Sequence, residues 1–91
     1  MDARIHIIVT GVVQGVGFRW FVNRTAENLG VTGWVKNRRD GSVEIEAEGG
    51  RNILEALIKE VKIGPRFSTV RGVNIEWKPF EGDFNNFRVT F

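Results

Sequence analysis

The sequence predicts an α+β fold of two layers, a sheet covered on one face by two helices. Three observations point there. Stretches in which every second residue is apolar are separated by two longer stretches in which apolar residues recur at three- and fourfold spacing. Read in order, these stretches give strand, helix, strand, strand, helix, strand and a short terminal strand. The 91 residues suffice for one two-layer core and no more.

The first strand covers Arg4 to Val13, with Ile5, Ile7 and Val9 on one face and His6 and Ile8 on the other. His6 is the only histidine, and on a strand it reads as structural rather than catalytic. From Phe18 the period changes: Phe18, Phe21, Val22, Thr25, Ala26 and Leu29 form a helical stripe, with Gly30 placed to end it. Val31 to Lys36 and Ser42 to Glu48 are two strands joined by Asn37-Arg38-Arg39-Asp40-Gly41, where the Asp-Gly pair marks a hairpin turn. In the second of them Val43, Ile45 and Ala47 alternate with Glu44, Glu46 and Glu48, which predicts one buried face and an exposed row of carboxylates. A second helix follows Gly49-Gly50 with Leu54, Leu57, Ile58 and Val61 on one side, stopped at Gly64-Pro65. Val70 to Trp77 is a further strand, and Phe87, Val89 and Phe91 a last short one. Trp20, Trp34 and Trp77 are expected in the core or at its edge.

Two strand–helix–strand halves around a hairpin specify the ferredoxin-like arrangement, βαββαβ plus a short C-terminal strand. Its antiparallel sheet carries both helices on one face and leaves the other open. No linker, repeat or low-complexity stretch divides the chain, so residues 1–91 read as a single domain.

Composition narrows the function. A net charge of +2 suits an anionic ligand without being a nucleic-acid signature. With no cysteine there is no disulfide, thiolate nucleophile or zinc–cysteine site, and the chain suits a reducing cytoplasm. No stretch approaches the ~20 apolar residues of a membrane span.

Chemistry concentrates where strand gives way to helix, in Gly11-Val12-Val13-Gln14-Gly15-Val16-Gly17-Phe18-Arg19. Glycine lets backbone reach positive φ and approach a ligand closely. Successive N–H groups in such a turn can form an anion nest, and if Phe18 and Arg19 open the helix its N-terminus points at the same spot. Arg19 adds a planar fork of donors suited to phosphate. The spacing matches neither the dinucleotide fingerprint nor the Gly-Lys-Ser/Thr phosphate loop. The second element is Asn37, an amide that ends a strand and can orient a water without changing protonation; as a turn former it has an equally ordinary structural role.

Taken together, this loop and the segment Gly33-Trp34-Val35-Lys36-Asn37, followed by Gly41-Ser42-Val43 and Gly49, resemble the two signatures of the acylphosphatase family. The resemblance extends over the whole chain, including its length, element order and closing Phe87-Arg88 strand. It implies a metal-free, cofactor-free hydrolase of acyl phosphates with the ferredoxin-like fold. It makes Arg19 the catalytic arginine that binds phosphate and Asn37 the asparagine that orients the attacking water, with the backbone N–H groups of Gln14, Gly15, Val16, Gly17, Phe18 and Arg19 completing the phosphate cradle. Arg38 and Ser42 stand where many members have threonines, which bears on the secondary hydrogen bonds of the turn and not on Arg19 or Asn37.

The chemistry is consistent with that implication. The loop carries no Cys, Ser, His, Asp or Glu to accept a phosphoryl group, which leaves direct attack by water. An acyl phosphate releases a carboxylate, whose conjugate acid has a pKa of about 4, so it departs without a proton. Asp40, the nearest carboxylate in sequence, reads as a turn residue. Partners are therefore expected to be small-molecule acyl phosphates, with inorganic phosphate as product and inhibitor, acting on a cytoplasmic monomer without nucleic acid or membrane. Two rivals share the fold: a non-catalytic anion-binding or regulatory domain, and an RNA-binding module, against which the expected row of exposed glutamates argues.

Overall fold

A computed structural model describes all residues from Met1 to Phe91 and contains seven elements in the expected order. They are β1 (Asp2–Val12), α1 (Phe18–Leu29), β2 (Thr32–Asn37), β3 (Val43–Gly50), α2 (Arg51–Ile63), β4 (Thr69–Lys78) and β5 (Phe87–Thr90), with the sheet ordered β4-β1-β3-β2-β5. Register aligns the apolar positions: Ile7 lies opposite Ile45 and Ile75, and Val9 opposite Val43 and Val73. Phe18, Val22 and Ala26 of α1 and Leu54, Leu57, Ile58 and Val61 of α2 close over that face. Each large aliphatic side chain buried there contributes roughly 1.5–3 kcal/mol of transfer free energy.

The same register positions the functional elements. β1 and β2 both run antiparallel to β3, which lies between them, so their carboxyl ends emerge at one end of the sheet. Val43 pairs with Val9 on one side and Asn37 on the other, placing Asn37 two strand spacings, about 10 Å, from β1. β1 then continues past a register shift between Thr10 and Gly11 and turns into α1 at this end. Gly11 has φ 123°, and a Cβ there would overlap the Thr69 carbonyl, so the bulge requires glycine.

Two expectations need correction. The four strands of the split core are antiparallel, but β5 joins the edge at β2 in parallel, making the sheet mixed. β4 ends at the opposite edge, so residues 79–86 must cross four strand spacings, about 19 Å. Eight extended residues reach up to ~28 Å, enough to make that crossing over the helix-free face.

The second correction follows from this crossing. Glu46 and Glu48 lie on the helix-free face as the alternation requires, yet they are only 3% and 1% exposed. Arg4 donates from Nε to Glu46 (2.6 Å) and from Nη1 to Asp83 (2.9 Å), and Lys78 Nζ donates to Glu46 (3.1 Å). Glu48 accepts the backbone N–H of Glu81 at 2.7 Å and of Gly82 at 3.1 Å, and the Arg4 guanidinium stacks on Phe84 at 4.5 Å. Burial alone would lower the Arg4 pKa; hydrogen bonds to Glu46 and Asp83 and the charges of Glu46 and Glu81 raise it above its ordinary value instead. The row of carboxylates is thus a buried ionic layer under a strap, and only Glu44, paired with His6 at 2.7 Å, keeps substantial exposure.

Trp34 and Trp77 are half-buried, Trp77 packing against the core beneath Arg51. Trp20 departs from the expectation. It lies two residues from Phe18 and from Val22, on the side of α1 turned away from the sheet, and is 61% exposed.

Candidate active site

The loop after β1 is shaped by two glycines in the left-handed region, Gly15 at φ 73° and Gly17 at φ 78°. A Cβ at either would meet nothing within 4 Å, so the requirement for glycine is conformational rather than steric. Gly17 is the N-cap of α1 and supplies no side-chain cap; the first backbone bond of the helix runs from Phe21 N–H to the Gly17 carbonyl at 3.0 Å. No backbone N–H from Gln14 to Arg19 is engaged by a protein acceptor. In a molecule whose backbone is otherwise well paired, such a run of free donors at a helix N-terminus has the chemistry of an anion cradle.

Arg19 and Asn37 meet over that cradle. Together with Val13, Gly15, Gly17, Phe18 and Trp20 they line a cavity of about 120 Å³. Phe18 is anchored in the core, so the turn that presents Arg19 is fixed from below. The Arg19 guanidinium donates from Nη1 to the Thr90 carbonyl at 3.3 Å and stacks on the Phe91 ring at 4.7 Å. One corner of the fork is thereby held, and its remaining N–H groups are left for a ligand. Thr90 reaches this position because β5 runs parallel to β2, with Thr90 opposite Lys36.

Of the six residues expected to contribute N–H groups, Gly15, Gly17, Phe18 and Arg19 line the cavity. Val16 instead packs on the core, and the Gln14 side chain turns toward the hairpin. Its Nε2 donates to the Arg38 carbonyl at 2.7 Å and the Ser42 carbonyl at 2.8 Å, clasping the cradle to the turn that follows Asn37. The sequence names Gln14 for its backbone only; a long amide facing two turn carbonyls has no local signal, since the partners lie 24 and 28 residues away.

The turn itself is closed by Arg38 N–H to the Ser42 carbonyl at 2.9 Å. Asp40 accepts from Ser42 Oγ at 2.5 Å and Ser42 N–H at 3.0 Å. These bonds from Ser42, with the Arg38 charge, hold the Asp40 carboxyl below its ordinary pKa. Asp40 is committed to the turn and does not line the cavity. His6 sits on the opposite face of the sheet against Glu44, away from the cradle.

Fold and site together define a small ferredoxin-like protein built around an anion cradle, with an arginine on one wall and an amide on the other. The acylphosphatase family model matches residues 5–89, and the chain belongs to that family. It is 54% identical over 76 residues to an acylphosphatase of Bifidobacterium longum, covering 84% of this chain and 78% of that protein. To an acylphosphatase of Salinibacter ruber it is 49% identical over 88 residues, covering 97% of this chain and 93% of that one. The crystal structure of acylphosphatase from Bacillus subtilis superposes with a TM-score of 0.95 at 42% identity, each chain covered completely.

Proposed function

We propose that this chain, acting as one domain over residues 1–91, hydrolyses the carboxyl–phosphate bond of acyl phosphates by direct in-line attack of water. The observation that carries the reading is the meeting of Arg19, free loop N–H groups and Asn37 at one small cavity. The N–H groups from Gln14 to Arg19 and the guanidinium bind the phosphate oxygens, where negative charge is spread in the loose transition state. Asn37, at the end of β2, holds the water in line with phosphorus; its amide oxygen accepts a hydrogen bond from the water and takes no proton. The proton passes to an oxygen of the transferred phosphate, so the acyl phosphate dianion and water become a carboxylate and dihydrogen phosphate.

The lining of the cavity supports direct attack, since none of its residues is a Cys, Ser, His, Asp or Glu that could take the phosphoryl group. The leaving carboxylate needs no acid. Phosphate monoesters, which expel alkoxides, are poor substrates for such a site. The same reading makes the chain a cofactor-free cytoplasmic monomer, inhibited by its product inorganic phosphate.

The test is hydrolysis of benzoyl phosphate in ¹⁸O-water, with and without a chelator. Turnover indifferent to the chelator, with label in inorganic phosphate and none in benzoate, is expected. Label in benzoate places attack on the carbonyl carbon and contradicts the mechanism. Absence of turnover in a protein that still binds phosphate identifies a non-catalytic anion-binding domain.

A further inference from the structure

A second depression, of about 350 Å³, adjoins the cradle along α1 and is lined by Gly17, Trp20, Phe21, Arg24, Asn28 and Pro65 among others. Gly17 and Trp20 line both this groove and the cradle cavity, whereas Asn37 lines the cradle alone. Trp20 is the largest exposed side chain on α1, and helix packing does not account for it: the core-facing residues are Phe18, Val22 and Ala26.

We propose that this groove seats the acyl group of the substrate, and that Trp20 makes the site favour aromatic acyl phosphates over short aliphatic ones. The inference rests on the acylphosphatase reading above and extends it to the part of the substrate the cradle does not touch. In-line displacement puts the attacking and leaving oxygens on opposite sides of phosphorus. With water held at Asn37, the leaving carboxylate faces away from the hairpin. The groove shares Gly17 and Trp20 with the cradle but not Asn37, and Gly17 has no side chain to stand between the two depressions.

The chemistry of the lining selects the occupant. An indole face offers offset or edge contact to an aromatic ring and covers apolar surface, while a methyl group presents little surface for it to cover. Binding energy gained there, remote from the reacting centre, adds to discrimination between substrates rather than to the chemistry of the phosphoryl group. The open shape of the groove sets a modest scale of about tenfold, within the range one small apolar contact provides.

Kinetics with two substrates test this. The ratio of kcat/KM for benzoyl phosphate to that for acetyl phosphate is measured in the wild type, Trp20→Ala and Trp20→Phe. The ratio is expected to fall about tenfold in Trp20→Ala, chiefly through a higher KM for benzoyl phosphate, and to be largely restored in Trp20→Phe. Equal losses for both substrates, or an unchanged ratio, overturn the acyl site while leaving the acylphosphatase reading intact. Hydrolysis of neither substrate by the wild type overturns that reading and the inference with it.

Discussion

Asn37 is placed by its pairing with Val43, and the turn it enters is held to the cradle by Gln14. The Gln14 amide ties the cradle to the carbonyls of Arg38 and Ser42, on either side of the turn that Asn37 enters. Gln14→Met keeps the length of the side chain and removes both bonds, so kcat is expected to fall about tenfold with little change in the inhibition constant of inorganic phosphate. Steady-state kinetics with phosphate as inhibitor check this, because loosened positioning affects the step and not the anion. Asp40 acts at the far side of the same turn. Its carboxyl is held below the ordinary 3.8 by Ser42, so the unfolded chain takes up the proton first as acid is added. Its contribution to stability is full above that value and is lost as pH falls through the depressed folded value. Urea unfolding of wild type and Asp40→Asn is therefore expected to differ near neutrality and to converge below pH 3.8. Arg19 and Asn37 could be singled out in the sequence because glycine spacing and a strand-end amide are local signals, and the fold brings both to one cavity. The Gln14 clasp and the Thr90 carbonyl behind Arg19 were not, since each depends on a contact across the fold.

The loop joining β1 to α1 works because Gly15 and Gly17 hold backbone in the left-handed region. Gly17→Ala meets no steric obstacle, so its cost is conformational, about 1–2 kcal/mol of stability. A larger loss of phosphate affinity is expected where the loop relaxes to avoid the strain, and calorimetric titration with phosphate measures it. On the other face, the strap of residues 79–86 depends on Arg4. Arg4→Ala leaves Glu46 and Glu48 buried with less compensation, although Lys78 still meets Glu46. A loss of about 3 kcal/mol in urea unfolding is expected, with the phosphate inhibition constant unchanged. The strands themselves were readable from period-two alternation, which assigns a residue to a face. Alternation carries no information about what covers that face, and the strap has no periodicity of its own. For this reason Glu46 and Glu48 read as exposed and are buried. Trp20 erred the other way, an aromatic inside a helical pattern that stands two residues off the core stripe.

For the whole molecule, topology is what makes a site from two short signatures. β3 lies between β1 and β2 and runs against both, so the cradle and Asn37 emerge at the same end of the sheet although 18 residues separate Arg19 from Asn37. The split βαββαβ order was legible because helical and strand periods alternate cleanly along the chain. The edge chosen by β5 was not, since a four-residue strand carries no signal for its partner. That edge matters to the site: parallel pairing with β2 delivers Thr90 to Arg19. The central claim, that Arg19 binds the phosphate while Asn37 acts on the water, is tested most directly by measuring kcat and the phosphate inhibition constant together in Arg19→Ala and Asn37→Ala. Arg19→Ala is expected to lose phosphate affinity and about 10²–10³ in kcat, the scale of one removed electrostatic donor. Asn37→Ala is expected to lose a comparable factor in kcat while binding phosphate as the wild type does. A folded Asn37→Ala protein that turns over at the wild-type rate, or an Arg19→Ala protein that keeps its phosphate affinity, would contradict the account.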